Sequence, residues 1–562
     1  MATALSVGRD SGCVRRESAA AHSHVGAPAP PEPMRYHSQA FHSCGRIETD
    51  GSEVFIHVTE LPNVLASLTI AAGVAAVFDG PALHTSLNVA DEGYLWHGTL
   101  QVLEKRVPIR DFRAYDPGRY YWCALFCLIF GRRNLSLRLA MLALRVVTLA
   151  LLAGLIHHAT GDWFATALWT VAAGACPHRW YKNTEELSAV MAVTVAAALL
   201  DDFQPAMQAV AGTFTGLSLV FGLNLALYNV TALAAACVFA LMNTGLEPIS
   251  PAWLAAGLLA GLAPAVFLFA TISGLWTAYV RHKVLAVLRR GTTNLPLPIP
   301  WLWKPTPPQV GGPSAYVRAV KAGFTALPLF HGGVLMWRLA AGPSDESWVQ
   351  VATANACVGV CYMHYSMSRA DPDHLSLAWP LVAIGIASLA PGGGVGIVVA
   401  FCAAAAVITC LYRSVDECAL RRRHPESFVR YHAGADHFWL PTSSVSWLEL
   451  IREVVETRSR DGDPVLFVPL LVALYPLWSR RVPVYDLFCV HRAAAGAEDA
   501  MIASIEAERV RLAVVWNGAL DGLEERRFSR THPLVWEYLE TRFEPCALSR
   551  PLEDLHCFVR TD

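Results

Sequence analysis

Charge is scarce in this chain. Asp, Glu, Lys and Arg make up 16% of its 562 residues, against 54% hydrophobic residues, whereas an ordinary soluble protein carries about 25% charge. Between Asp202 and Glu247 no charged residue occurs at all, a stretch about twice as long as one membrane-crossing helix needs. So little charge excludes a soluble globular protein and marks a membrane protein. Other absences narrow the field. With a net charge of −2 and no basic tract interleaved with aromatics, nucleic acid is set aside as a partner. The 14 cysteines include no C-x-x-C pair; Cys123/Cys127 and Cys357/Cys361 stand four apart on expected helices, where buried apolar thiols outweigh a metal site. The phosphate-loop pattern G-x-x-x-x-G-K-[ST] is missing, so the glycine turn at Pro391–Gly396 and the pair His157–His158 read as structural.

What is present is a succession of apolar runs. They fall at Leu61–Leu83, Tyr120–Phe130, Leu139–His157, Trp163–Cys176, Leu187–Leu200, twice between 202 and 247, then at Pro251–Val280, Ala319–Ala340, Trp348–Tyr362, Leu375–Ala390 and Val395–Leu411. They predict about twelve spans, within a range of about 11 to 13. The runs lack the alternation of barrel strands, and backbone groups in lipid must bond within their own segment, so the spans are helices. The fold expected over 61–444 is an all-α polytopic membrane bundle. Residues 1–60, rich in Ala, His, Pro and Ser and without an apolar stretch of signal-peptide length, predict a disordered cytoplasmic tail. With that tail inside, the positive-inside rule puts the acidic loop 84–119 outside. It puts Arg132–Arg133 with Arg138, Pro177–Asn183 ("PHRWYKN") and Val280–Gly291 inside.

From 445 to 562 charge returns to a soluble level. "DPVLFVP" (Asp463–Pro469) predicts a strand, "LLVALYPLWSRR" a helix, "EDAMIASIEAERVR" an amphipathic helix, "LAVVWN" (Leu512–Asn517) a strand, "HPLVWEYLETRF" a helix opened by proline, and "LHCFVR" a last strand. Strands alternating with helices imply a small α/β domain of about 100 residues.

The segment Asp91–Trp122, "DEGYLWHGTLQVLEKRVPIRDFRAYDPGRYYW", is the least expected feature. Most acidic pairs are solvated ends of helices. Here the connection is about 35 residues long, and long ordered connections are more often functional. It also carries a glycine straight after the acidic pair and ends in a Pro–Gly turn feeding an aromatic belt. Acids, bases and aromatics against a bilayer make a site for a substrate with a polar head and a lipid tail. Together with "VLFVP…LYPLWSRRVP…YD" and "VVWNGALDGLEERRFSRTHPLVWEYLETRFE", this segment resembles the bacterial membrane glycosyltransferases related to protein O-mannosyltransferases and the lipid A aminoarabinose transferase (the GT-C fold). The resemblance covers most of the chain from about Leu61 and is specific in the loop and the C-terminal part.

That resemblance implies an enzyme of the bacterial cytoplasmic membrane, active on its periplasmic or exterior face. It would move a sugar from a polyprenyl-phosphate donor to an acceptor hydroxyl on protein, lipid or glycan, with inversion. The acidic loop and C-terminal domain would share the extracytoplasmic face, which needs an odd number of spans. The family pattern places the catalytic base at Asp91. Glu92 would support it or help hold a divalent cation, Asp111 and Asp116 would shape the acceptor side, and Arg110, Arg119 or a metal would stabilise the leaving phosphate. Within the bundle, Arg369, Asp371, Asp373 and His374 lie between apolar runs, where ionisable residues are functional candidates; a simple polar turn is the equal alternative. Asp371-Pro-Asp373 also fits a D-x-D metal motif, with no nucleotide-binding domain to accompany it. Arg179 and Lys182 read first as an interfacial anchor and second as phosphate ligands. The rival classes are a transporter or flippase, which would need polar groups in several spans or paired repeats, and a structural subunit, which leaves the acidic loop without a role.

Overall fold

Long apolar segments can satisfy their backbone in lipid only as helices, and this chain follows that rule. The computed structural model describes residues 61–176, 179–244, 249–290, 294–390, 416–550 and 552–560. Helices α1 (Leu61–Phe78), α4 (Asn134–Thr160), α5 (Trp163–Ala175), α6 (Asn183–Asp201), α7 (Pro205–Phe221), α8 (Leu223–Thr244), α9 (Pro251–Thr271), α12 (Ser314–Ala341), α13 (Ser347–Ser368) and α15 (Trp379–Ser388) form the bundle. Among the described residues six helical segments are long and apolar enough to cross a membrane: Leu61–Phe78, Asn134–Thr160, Trp180–Asp201, Leu223–Asn243, Pro251–Thr271 and Ser314–Ala341. Trp163–Ala175 and Pro205–Phe221 are shorter apolar helices. The run expected at Val395–Leu411 lies outside the described residues, as do residues 1–60.

Contacts between helix ends show how the chain threads. At one end of the bundle Asn243 accepts a hydrogen bond from Arg338, Gln208 Oε1 accepts from Ser250 N at 2.7 Å, and His158 meets Asp201 at 2.8 Å. At the other end lie Asp79, Arg138, Lys182, Phe221, Ser273 and Tyr365, each bonded to the segment between α1 and α4 or to its neighbours. Helices α7 and α9 touch backbone to backbone: a Cβ on Gly257 would stand 2.0 Å from Ala209 O, and one on Gly261 would stand 2.1 Å from Thr213 O. Small residues permit this approach, on which dispersion between lipid-embedded helices depends.

The expectation that Tyr120–Phe130 spans is corrected. Helix α3 (Pro117–Phe130) begins at Asp116, which accepts from Tyr279 Oη at 3.2 Å. It ends before Asn134, whose N donates to Asp436 Oδ2 at 2.8 Å. Four residues further on, Arg138 grips Glu92. Both ends of α3 therefore lie at the same end of the bundle. At 14 residues the helix is about 21 Å long, and its outer side carries the exposed Leu125, Leu128 and Ile129.

That correction carries others with it. Arg132–Arg133 and Arg138, Pro177–Asn183, and Val280–Gly291 were expected across the membrane from the acidic loop. Arg138 is bonded to Glu92, Arg179 to Asp373 beside it, and Lys283 to Asp116 at 3.6 Å. Because α3 does not cross, each of these later connections falls on the side opposite to the one expected.

The C-terminal region contains two sheets. An antiparallel hairpin joins β1 (Phe428–Ala433) to β2 (Asp436–Pro441). A four-stranded sheet has the order β3-β4-β6-β5, made of β3 (Val465–Val468), β4 (Leu512–Trp516), β5 (Phe543–Pro545) and β6 (Leu555–Arg560). Strands β3 and β4 are parallel, and β4–β6 and β6–β5 are antiparallel. Every β3 residue is fully buried, with helix α17 (Thr442–Arg458) in the same core. Helices α19 (Ala497–Ala507) and α21 (Pro533–Arg542) match their predicted positions. "LLVALYPLWSRR" does not become a helix. Only the single turn α18 (Leu474–Leu477) forms, between Leu470 and Ser479, which both adopt positive φ and cannot continue a right-handed helix.

Candidate active site at the membrane boundary

The acidic pair opens a helix, α2 (Asp91–Leu103), inside the connection that the sequence marks as long. Asn88 caps it. Its Oδ1 accepts from Ala90 N at 3.0 Å and Asp91 N at 2.8 Å, and Glu92 Oε2 reaches back to accept from Asn88 N at 3.2 Å. This reciprocal arrangement satisfies orphan donors at the helix start, and the acidic side chains complement the helix dipole there. Helical spacing then sends the two carboxylates in different directions.

Glu92 turns inward and is 2% exposed. Arg138 meets Glu92 Oε1 with Nε at 2.6 Å and Oε2 with Nη2 at 3.0 Å. The same guanidinium donates to the carbonyls of Ala82, Leu83, Thr85 and Ser86. Asp91 turns toward a polar recess: Tyr115 Oη donates to its Oδ1 at 3.4 Å, and among the described residues its Oδ2 has no partner. Burial, and after it the Asp91 charge, keep the Tyr115 phenol protonated well above its ordinary range.

The first turn of α2 presses on the C-terminal region. Ala473 N donates to Val89 O at 2.9 Å, and a Cβ on Gly93 would stand 2.4 Å from Ala473 N. Backbone cannot swing aside as a flexible side chain could. Gly93→Ala should therefore destabilise by about 1–3 kcal/mol through overpacking. The check is a lower thermal midpoint in detergent than for Gly73→Ala, whose Cβ would meet nothing within 4 Å.

The far wall of the recess comes from segments distant in sequence. Lys182, at the start of α6, donates to Tyr365 Oη at 2.8 Å and lies over the rings of Tyr181 and Tyr365; among the described residues it has no carboxylate partner. Asn88 Nδ2 reaches Tyr181 Oη at 3.4 Å, joining this wall to the Asp91 turn. Arg179 pairs with Asp373 at 3.0 Å. Arg369 pairs with Asp371 at 2.9 Å and donates to both oxygens of Asp521, at 2.7 and 3.1 Å. Burial alone would lower the Arg369 pKa, but Asp521, Asp371 and Asp91 together raise it. Asp371 caps the one-turn helix α14 (Pro372–Ser376), accepting from His374 N and facing His374 Nδ1, both at 2.8 Å. Burial would raise the Asp371 carboxyl, yet His374 and Arg369 hold it below the ordinary range. Beyond Asp521 and its second partner Arg526, an open cleft of about 650 Å³ is lined by Arg492, Arg526 and Arg530 among others.

The remaining sequence candidates divide. Arg119 stacks over the Tyr115 ring at 4.8 Å and pairs with Glu185 at 3.2 Å, forming the floor beside Asp91. Asp116 binds Tyr279 and Lys283. Arg110 and Asp111 form a two-pronged pair at 2.8 and 2.9 Å, and Arg110 also donates to Ser273 O at 3.0 Å. They clasp the connection to the end of α9. The Arg110 hydrogen bond keeps the Asp111 carboxyl low.

Both Glu92 oxygens face Arg138, at 2.6 and 3.0 Å. Among the described residues no three His, Cys, Asp or Glu side chains converge as metal ligands. Lys182 is the contributor that sequence reasoning ranked second to an anchor. Its signal was weak, because a cation before a helix of buried residues fits either role.

No family model matches this chain, and no curated protein does. Solved structures do. ArnT from Cupriavidus metallidurans, bound to undecaprenyl phosphate, aligns over 89% of this chain and 97% of its own, at 13% identity and a TM-score of 0.44. The Archaeoglobus fulgidus oligosaccharyltransferase tethered to an acceptor peptide aligns over 82% of this chain and 69% of its own, at 11% identity and a TM-score of 0.41. The archaeal oligosaccharyltransferase AglB from the same organism, in complex with an inhibitory peptide and a dolichol-phosphate, has a TM-score of 0.35 at 11% identity over the same shares.

Proposed function

We propose that this chain is a membrane glycosyltransferase that moves a sugar from a polyprenyl-phosphate donor to a hydroxyl of a cell-envelope acceptor, inverting the anomeric carbon. The supporting observation is an open carboxylate near an uncompensated cation: Asp91, whose Oδ2 has no partner among the described residues, and Lys182, held by Tyr365 rather than by an acid, with both charges acting on Tyr115. A hydroxyl attacking a sugar carbon needs a base within hydrogen-bond reach. A departing phosphate needs a cation placed where its charge grows. Asp91 takes the acceptor proton as the new C–O bond forms, and the old bond to phosphate oxygen breaks on the opposite side of the carbon toward Lys182. Arg369 and Arg179 border the recess with their charges partly balanced by Asp371, Asp521 and Asp373. The acceptor enters from the C-terminal side, past Asp521. The proposed setting is a bacterial cytoplasmic membrane, with the recess on its outer face and the donor entering sideways from lipid.

The test is transfer of labelled sugar from a panel of polyprenyl-phosphate donors in membranes containing the protein. Lys182→Gln is expected to lower kcat/KM for the donor about tenfold or more, since a hydrogen bond to a charged group contributes about 1.5–3 kcal/mol. Absence of protein-dependent transfer from every donor in the panel would reject the proposal.

A further inference from the structure

The segment from Leu295 to Pro308 reads LPLPIPWLWKPTPP, and neither the bundle nor the recess accounts for it. It is a strap fastened at both ends to the turn that carries Arg369. Asn294 Nδ2 donates to Ser368 Oγ at 2.7 Å, and Gln309 Nε2 donates to Ala370 O at 3.3 Å. Between these ties the chain runs along α12. Ile299 packs on the cluster of Val310, Val320 and Phe324, Leu302 N donates to Thr325 Oγ1 at 3.1 Å, and Lys321 Nζ donates to Lys304 O at 2.6 Å. Thr325 lies about 16 Å along α12 from Ser314, at 1.5 Å per residue. The strap thus descends beside a helix that is long and apolar enough to cross a membrane.

Its tip is apolar and uncovered. Trp301 and Trp303 stack with ring centroids 5.3 Å apart, while Leu302 is 50% and Trp303 70% exposed. Further along α12, Leu329 and Met336 are 72% and 68% exposed, so the tip continues a lipid-facing surface. The backbone fits such a place. Pro300 and Pro305 have no N–H, and the N–H groups of Trp301, Leu302 and Lys304 are bonded to Ile299 O, Thr325 Oγ1 and Trp301 O. Irregular backbone exposed to lipid is excluded from the hydrocarbon interior, which leaves the headgroup level, where tryptophan is enriched and lysine extends toward phosphate.

We propose that Trp301–Lys304 is an anchor seated in the lipid headgroup layer, with the two indoles and Leu302 among the upper acyl chains and the Lys304 ammonium on lipid phosphate. Through Asn294 and Gln309 it sets the depth of the Arg369–Asp371 turn relative to the bilayer surface. The anchor stands apart from the transfer chemistry, and its test uses no substrate.

The test places a nitroxide on Trp303→Cys in the full-length protein, reconstituted in nanodiscs of phosphatidylcholine and phosphatidylglycerol. The signal of labelled wild type is subtracted to remove native cysteines. A nitroxide at 303 should collide several-fold more often with oxygen than with a water-soluble nickel chelate, and a label on Glu524→Cys should show the reverse. Leu302→Cys repeats the measurement should Trp303→Cys disturb the strap. Labels at 302 and 303 as open to nickel as the one at 524 would overturn the anchor. Shielding from both reagents would also overturn it, because that would show protein covering the tip.

Discussion

Asp91→Asn should lower sugar transfer by about 10² to 10⁴, the contribution typical of a positioned general base, while the protein folds and inserts as before. The amide keeps the size of the carboxylate and still accepts from Tyr115 Oη. The helix start rests on Asn88 and Glu92 rather than on the Asp91 side chain. What is lost is the ability to take a proton. The measurement is initial transfer rate per folded enzyme, with the thermal midpoint as the control. A variant with unchanged midpoint and more than a tenth of wild-type rate would assign the base elsewhere.

The second large effect concerns the other half of the acidic pair. Arg138 is 1% exposed and joins Glu92 to four carbonyls of the segment leading into α2. Removing one partner of a buried ion pair costs about 3–5 kcal/mol, because the remaining charge is stranded. Arg138→Met should therefore reduce the yield of monodisperse protein sharply and lower the thermal midpoint of what remains. Adding Glu92→Leu should recover part of the loss, since the stranded carboxylate is then gone and the coupling between the two changes can be read directly. A single Arg138→Met variant with the wild-type midpoint would contradict this account. Adjacent carboxylates thus have separate roles: one holds the helix start in place and the other is presented to the recess.

The helical class was legible because lipid leaves an apolar backbone few alternatives, and α4, α8, α9 and α12 fall where apolar runs predict them. The strands β3, β4 and β6 were legible for a similar reason, as each is a short apolar run bounded by polar or turn residues. The error at α3 is instructive. Tyr120–Phe130 is as apolar as a span, but an apolar helix lying along a boundary and one crossing it have the same composition. What tells them apart is where the ends are held, Asp116 by Tyr279 and Asn134 by Asp436 at one end of the bundle, and miscounting this helix reversed the side assigned to Arg179, Lys182 and Lys283. The helix α2 was hidden for a different reason: its buried residues include Glu92, His97 and Gln101, which blur the apolar stripe that periodicity detects.

The sequence by itself determined that this is a helical membrane protein with an α/β C-terminal region. It also determined that Asp91 and its neighbours form a charged cluster between apolar runs, because composition and periodicity are local properties that solvent and lipid read directly. Only the tertiary structure decided that Glu92 belongs to Arg138, that Lys182 faces Asp91's recess, and that Arg369 joins the C-terminal region through Asp521. Those are choices among many compatible charges far apart in the chain. In a low-dielectric interior, the choice is made by which partners the packed helices bring within hydrogen-bond distance.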